Sequence, residues 1–193
     1  MILYQTRRTD GFQVKDVASM EIGDVFEFTL KDGKAVRAMA VKKDEEATDF
    51  ITVDCLEGKG MAMNLEPMSE GGYDESDLRE SLNQKILALF PDDIRAAMVP
   101  VYMDDLLTIP SEMELFGKRI FSKEDSKDEQ LEPMKENRNR IALYGMDGYP
   151  NWYWLRDATN ADYFAFVNND GNASNYAATD SLGIRPRFRI ANR

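Results

Sequence analysis

The chain has 193 residues, of which 43% are apolar, with one cysteine, no histidine and a formal charge of -11 at pH 7, so it is long enough to bury a core as one domain, or as one with a small appended subdomain. A single cysteine excludes an intrachain disulfide, and the lack of histidine removes the commonest general base, the commonest zinc ligand and every Ser-His or Cys-His nucleophile pair. The negative charge argues against nucleic acid and anionic membrane surfaces as partners, since both are polyanions.

The first residues, MILYQTRRTDG, carry only a brief apolar run before Arg7 and Arg8. That is too short for a signal-peptide core, and no stretch approaches the roughly 20 apolar residues of a membrane span. The expectation is synthesis in the cytoplasm and no membrane insertion, with assembly into a phage particle left open.

From Asp24 to about Leu65 the text is strand-like: DVFEFTL, the turn KDGKA, VRAMAVKK, DFITVDCL and GKGMAMNL. Phe26, Phe28 and Leu30 alternate with Glu27 and Thr29, and Val36, Ala38 and Ala40 with Arg37, Met39 and Val41, which predicts a small antiparallel meander turning at Asp32-Gly33. Gly71-Gly72 breaks the chain before Leu78, Leu82, Ile86 and Leu89, one face of a helix, which Asp74 or Ser76 can cap. Phe90-Pro91 ends that helix or begins a short one through Asp92 to Met98. Asp105–Gly117 reads as strand, turn and short helix, where Ser111 and Glu114 have capping-box spacing and Gly117 suits the stop. Ser122 to Arg140 is charged throughout and reads as a solvated helix or loop broken near Pro133. After Ile141, NWYWLRD, YFAFVNN and GIRPRFRIA predict three or more strands of one sheet.

The polar segment NNDGN, Asn168 to Asn172, has oxygen-rich side chains but lacks the bidentate Glu of a calcium loop, and Asp170-Gly171 fits a hairpin turn better. No metal is expected there. The carboxylate pairs Asp92-Asp93 and Asp104-Asp105 read as caps or as side chains pointing apart. Trp152 and Trp154 would share one face of a strand as core anchors, with Tyr153 and Leu155 on the other, and Arg156 and Arg185 would be packing or ion-pair partners between strands.

Four segments, YDESDLRESLN (Tyr73 to Asn83), DLLTIPSEMELFG, WYWLRD and LGIRP, resemble in that order a domain family of unknown function common in gut bacteria and their prophages, over about residues 15 to 192. The last portion, VNNDGNASNYAATDSLGIRP, is similar to the variable domain of diversity-generating retroelement target proteins, whose Asn-rich segment is rewritten by adenine mutagenesis. Asp170, Ser174, Tyr176, Ala177, Asp180 and Leu182 stand where that pattern has Asn. The resemblance implies an α+β, C-type lectin-like domain over residues 67–193, with an N-terminal antiparallel β-subdomain over 1–66, packed as one unit, and a variable-like segment over about 152–190. The lectin calcium triplets Glu-Pro-Asn and Gln-Pro-Asp are absent, so it does not imply calcium-dependent sugar binding.

The function so implied is non-enzymatic recognition of a protein or cell-surface ligand by a phage- or prophage-encoded protein, without cofactor. Tyr153, Tyr163, Phe166 and Tyr176 would supply contact area, and Asn160, Asn168, Asn172, Ser174 and Asp180 adaptable hydrogen bonds, with Asp157, Asp162 and Asp170 completing the set. Val167, Ile184 and Phe188 would point inward. The alternatives are a structural particle component, or an enzyme on a scaffold like that of formylglycine-generating oxidases, whose paired cysteines a lone Cys55 does not reproduce.

Overall fold

Alternating Phe26 and Phe28 make Val25–Thr29 (β1) a half-buried strand, which turns at Gly33 (φ 89°) into Ala35–Lys43 (β2) and then Ala47–Thr52 (β3). The computed structural model describes residues 14–56, 60–123, 126–144 and 148–192. The N-terminal run read above and part of the charged run lie outside the described residues. Short strands follow at Met61–Ala62 (β4), Met98–Val99 (β5), Ala142–Leu143 (β6) and Pro150–Asn151 (β7). Tyr153–Ala158 (β8), Tyr163–Val167 (β9), Ala173–Ala177 (β10), Ser181–Leu182 (β11) and Arg187–Ala191 (β12) complete the strands.

The main sheet has the order β1-β2-β3-β12-β5, antiparallel throughout, and curls into a half-barrel. A second sheet has the order β10-β9-β8, and β11-β4 and β6-β7 are small pairs. The fold is therefore a mixed one of short helices and antiparallel sheets. Two apolar clusters form the core. Val36, Ala38, Ala40, Phe50, Trp154, Phe164, Phe166 and Phe188 belong to the larger. Met39, Val41, Ile51, Tyr153, Leu155, Ala165 and Val167 belong to the other. The inner strands of both sheets are thus covered on both faces, which is why β3 is buried at all six positions and β9 at four of five, while β1 and β10 at the edges stay partly open.

The expected helix runs from Asp77–Ser81 (α1) through a π-helical turn, Leu82–Ile86, into Leu87–Leu89 (α2), burying Leu78, Leu82 and Ile86. Ser76 caps it by accepting from the Arg79 amide at 3.1 Å. Asp92–Ala97 (α3) follows Pro91. Glu112–Phe116 (α4) has the predicted capping box, with Ser111 and Glu114 bonded reciprocally, and stops at left-handed Gly117.

Three expectations need correction. Of GIRPRFRIA only Gly183 meets NWYWLRD, in a single bridge to Tyr153; β12 lies between β3 and β5 in the main sheet, which therefore draws strands from both sides of residue 66. Asp105–Pro110 forms isolated bridges, Tyr102↔Asp105 and Thr108↔Arg187, and no strand. The charged run is not simply solvated. Leu131 and Met134 are buried, Glu132–Lys135 is 3₁₀-helical, Asn137–Arg140 (α5) is α-helical, and Asp128 pairs with Arg156.

Candidate functional site

Most of the residues expected at a binding surface ride on the hairpin β9–β10 and the turns at its two ends. The turn is built by Asn168: its amide nitrogen donates to the Asn172 carbonyl, and its Oδ1 accepts from the Asp170 and Asn172 amides, both at 3.0 Å. Gly171 holds φ 75°, and a Cβ there would lie 2.7 Å from Asn137 Oδ1. At the other end Asn160 Oδ1 accepts from the Asp162 amide, and the Asn160 carbonyl accepts from the Ser69 hydroxyl.

Asn160, Asp162, Tyr163, Asp170, Asn172 and Tyr176 are exposed, and Asn168, Ser174 and Asp180 are half-buried. Tyr163 and Tyr176 keep 38% and 40% of their surface open to water. Val167, Ile184 and Phe188 point inward as expected. Tyr153 and Phe166, expected as contact surface, are core residues instead. Tyr153 is fully buried; its hydroxyl donates to the Arg140 carbonyl at 2.6 Å and accepts from Arg185, and burial pushes its ionisation up. Phe166 is covered by Trp152, 4.9 Å away between ring centroids, and by Tyr176 at 6.0 Å. Of the two tryptophans, Trp154 is the buried anchor, and Trp152 is 37% exposed. Trp152 therefore takes the exposed aromatic place that had been expected of Tyr153.

The second feature is a cleft at the far end of β8. Pairing of β8 with β9 slips between Trp154 and Ala158, a bulge that frees Arg156 and Asp157 from regular alternation. They help to line a cavity of about 560 Å³ together with Tyr73, Asp74, Tyr102 and Asp128. Arg156 donates to Glu114 at 2.9 Å and Asp128 at 2.5 Å, and its guanidinium stands 4.9 Å from the Tyr102 ring centroid. Burial works against its charge, but Glu114 and Asp128 outweigh burial and hold it protonated. Tyr102 donates to Asp74 at 2.6 Å.

Asp157 is the one expected site residue in this cleft. Its Oδ2 accepts from the Glu112 amide at 2.7 Å, at the first turn of α4. Burial pushes its carboxyl up to about 7, against that amide and Arg156, which favour the anion. The cleft was not legible in the sequence, because Tyr73, Tyr102, Asp128 and Arg156 come from four separate segments and no spacing links them. The only local hint was the pairing of Arg156 with an acidic neighbour in WYWLRD.

Cys55 is buried, and burial pushes its thiol up to about 12, so it is not an activated nucleophile. Among the described residues no group of three or more Cys, Asp or Glu side chains is gathered to hold a metal ion. The amide oxygen of Asn168 is already used by the turn. The thermal midpoint is accordingly expected to be indifferent to calcium or chelator, because only a ligand that binds the folded state raises it. A calcium-dependent rise of several degrees in a melting curve would contradict this.

No helix among the described residues is long and apolar enough to cross a membrane. No curated protein and no solved structure matches the chain. One family model does match, that of the domain of unknown function DUF6273, over residues 46–192. That span takes in β3 to β12, the β9–β10 hairpin and the whole lining of the cleft, and the chain belongs to the DUF6273 family.

Proposed function

We propose that the protein is a non-enzymatic recognition protein, phage- or prophage-encoded, that presents a variable-like surface on a C-type lectin-like scaffold to a protein or cell-surface ligand. One observation carries this reading. β9 buries Phe164, Ala165, Phe166 and Val167 in the two core clusters, while its hairpin partner β10 and the turns at both ends carry the exposed and half-buried polar and tyrosyl side chains, so the surface can change without disturbing what holds it. Tyr163, Tyr176 and Trp152 supply rigid, amphipathic contact area, and Asn160, Asp162, Asp170 and Asn172 supply adaptable polar contacts.

Asn168 is excluded from the variable part of this surface, because its side chain makes the turn. The test is a fivefold alanine variant at Asp170, Asn172, Ser174, Tyr176 and Asp180. It should fold normally, since surface replacements shift stability by about 0.5 kcal/mol or less each. Fluorescently labelled protein should bind the surface of some intact bacterial strains in a panel, and the fivefold variant should lose or redirect that binding. A variant that unfolds, or one that binds every strain as the parent does, would refute the reading.

A further inference from the structure

The two edges of the β8-β9-β10 sheet are treated differently by the fold. The β8 edge is closed: Trp154 donates to the Gly183 carbonyl, Gly183 to the Trp152 carbonyl and Arg156 to the Pro110 carbonyl. The β10 edge is open. Asn168 donates to the Asn172 carbonyl and Ala178 to the Asp162 carbonyl, and the register between these bonds pairs Ser174 with Phe166 and Tyr176 with Phe164. Antiparallel ladders alternate, so the backbone groups of Ala173 and Asn175 and the amide of Ala177 turn away from β9. Among the described residues none hydrogen-bonds them.

Open edges are normally guarded by Lys, Pro or a bulge, because unpaired strand edges associate. The sequence of β10, ASNYA, has none of these, its pairing with β9 is regular, and none of its five residues is buried, four being half-buried and Tyr176 exposed. Carboxylates flank it at both ends: Asp170 in the turn, and Asp162 and Asp180 beyond Ala177. The Arg140 guanidinium behind the turn is occupied by the Met134 and Gly171 carbonyls and Asn137 Oδ1.

A second copy of the chain is a poor occupant. Antiparallel self-pairing about Asn175 would set Asp170 of each copy against Asp180 of the other, between two chains of charge -11. We propose that β10 receives an extended, basic segment of a partner protein by strand addition, with the backbone of Ala173, Asn175 and Ala177 supplying the ladder and Asp162, Asp170 and Asp180 facing its Lys or Arg residues. This rests on the recognition reading above and gives it a mode and a partner chemistry. Main-chain bonds tie the segment down, and Ser174 and Tyr176 on one side and Asn175 on the other meet its alternate side chains.

The experiment pans a random decapeptide display library on the wild-type protein, then measures the selected synthetic peptides by calorimetry. The variants are Asn175→Pro, which removes one outward amide that no described residue uses, and Tyr176→Ala. Selected peptides should be rich in Lys and Arg. Asn175→Pro should lose at least tenfold in affinity with an unchanged thermal midpoint, and peptide should slow hydrogen exchange at the Asn175 and Ala177 amides of the wild type. If Asn175→Pro does not fold, that exchange measurement decides alone. An empty selection, acidic or neutral peptides, or unchanged exchange overturns strand addition. Binding that survives Asn175→Pro but not Tyr176→Ala overturns strand addition and leaves the recognition surface standing; binding that survives both variants overturns the two together.

Discussion

Replacing Glu114 with Gln is expected to destabilise the protein by about 3–5 kcal/mol, the effect of leaving buried charge without its partner. The Glu114 carboxylate is fully enclosed and is shared by the Arg156 and Arg187 guanidiniums, while its Oε2 also accepts from the Ser111 amide at 2.9 Å. Gln can keep the capping bond, so the variant isolates the loss of charge from the loss of the cap. The same carboxylate sets an acid limit. Burial alone would raise its ionisation, but the two guanidiniums and the Ser111 amide outweigh it and hold Glu114 down at about 2, against 4.5 for a free side chain. A depressed folded value means stability that is complete above 4.5 and lost as pH falls toward 2, worth about 3 kcal/mol at 1.36 kcal/mol per pH unit. Asp49, which burial shifts upward despite Arg187 and Arg189, regains some stability over the acid range and offsets part of that loss. Asp157, which burial raises to about 7, likewise gains stability as pH falls, so the Glu114 contribution is read as a difference: the denaturant midpoint of the wild type should exceed that of Glu114→Gln at pH 7, and the gap should close as pH falls from 4.5 toward 2. Equal stability of the two proteins at pH 7 would mean that the ion network contributes nothing.

Trp154→Ala is expected to cost about 3–5 kcal/mol, in the range of large aromatic deletions from cores. The indole is fully buried in the larger cluster, and its Nε1 donates to the Met61 carbonyl at 2.8 Å, so the variant leaves both a void and an unpaired carbonyl. Trp152→Ala should cost far less, because that ring lies partly open over Phe166 and Tyr176. Chemical denaturation of the two variants measures the contrast. A Trp152 effect as large as the Trp154 one would show that the aromatic group under the hairpin is part of the core.

Local signals in the sequence found local structure. The alternation of Phe26 and Phe28, the spacing of Leu78, Leu82 and Ile86, the Ser111–Glu114 box and the Asp170-Gly171 turn all involve residues a few positions apart, and each forms as read. Reading failed where two distant segments meet. Alternation says which residues share a face but not whether the other face is dry, and at Tyr153 a second cluster covers the face that alternation leaves open. The partners of β12 and the ion set of Arg156, Arg187, Glu114 and Asp49 depend on contacts across most of the chain. Asn168 builds a turn, and an Asn that builds a turn looks the same in one dimension as an Asn that faces a ligand.

The place of β12 between β3 and β5 also governs the order of events during synthesis. Asp49 on β3 and Arg187 on β12 are 138 residues apart, a separation that a ribosome takes on the order of ten seconds to cover. Throughout that interval β1 to β3 can form as a local meander, but the far edge of β3, which β12 covers in the folded protein, has no neighbour. Closing the sheet is a late, non-local event of the kind that slows folding. Until β12 is made, the edge of β3 is open to pairing with other β-strands, so the time between the two segments is the time over which the nascent sheet is exposed to mispairing.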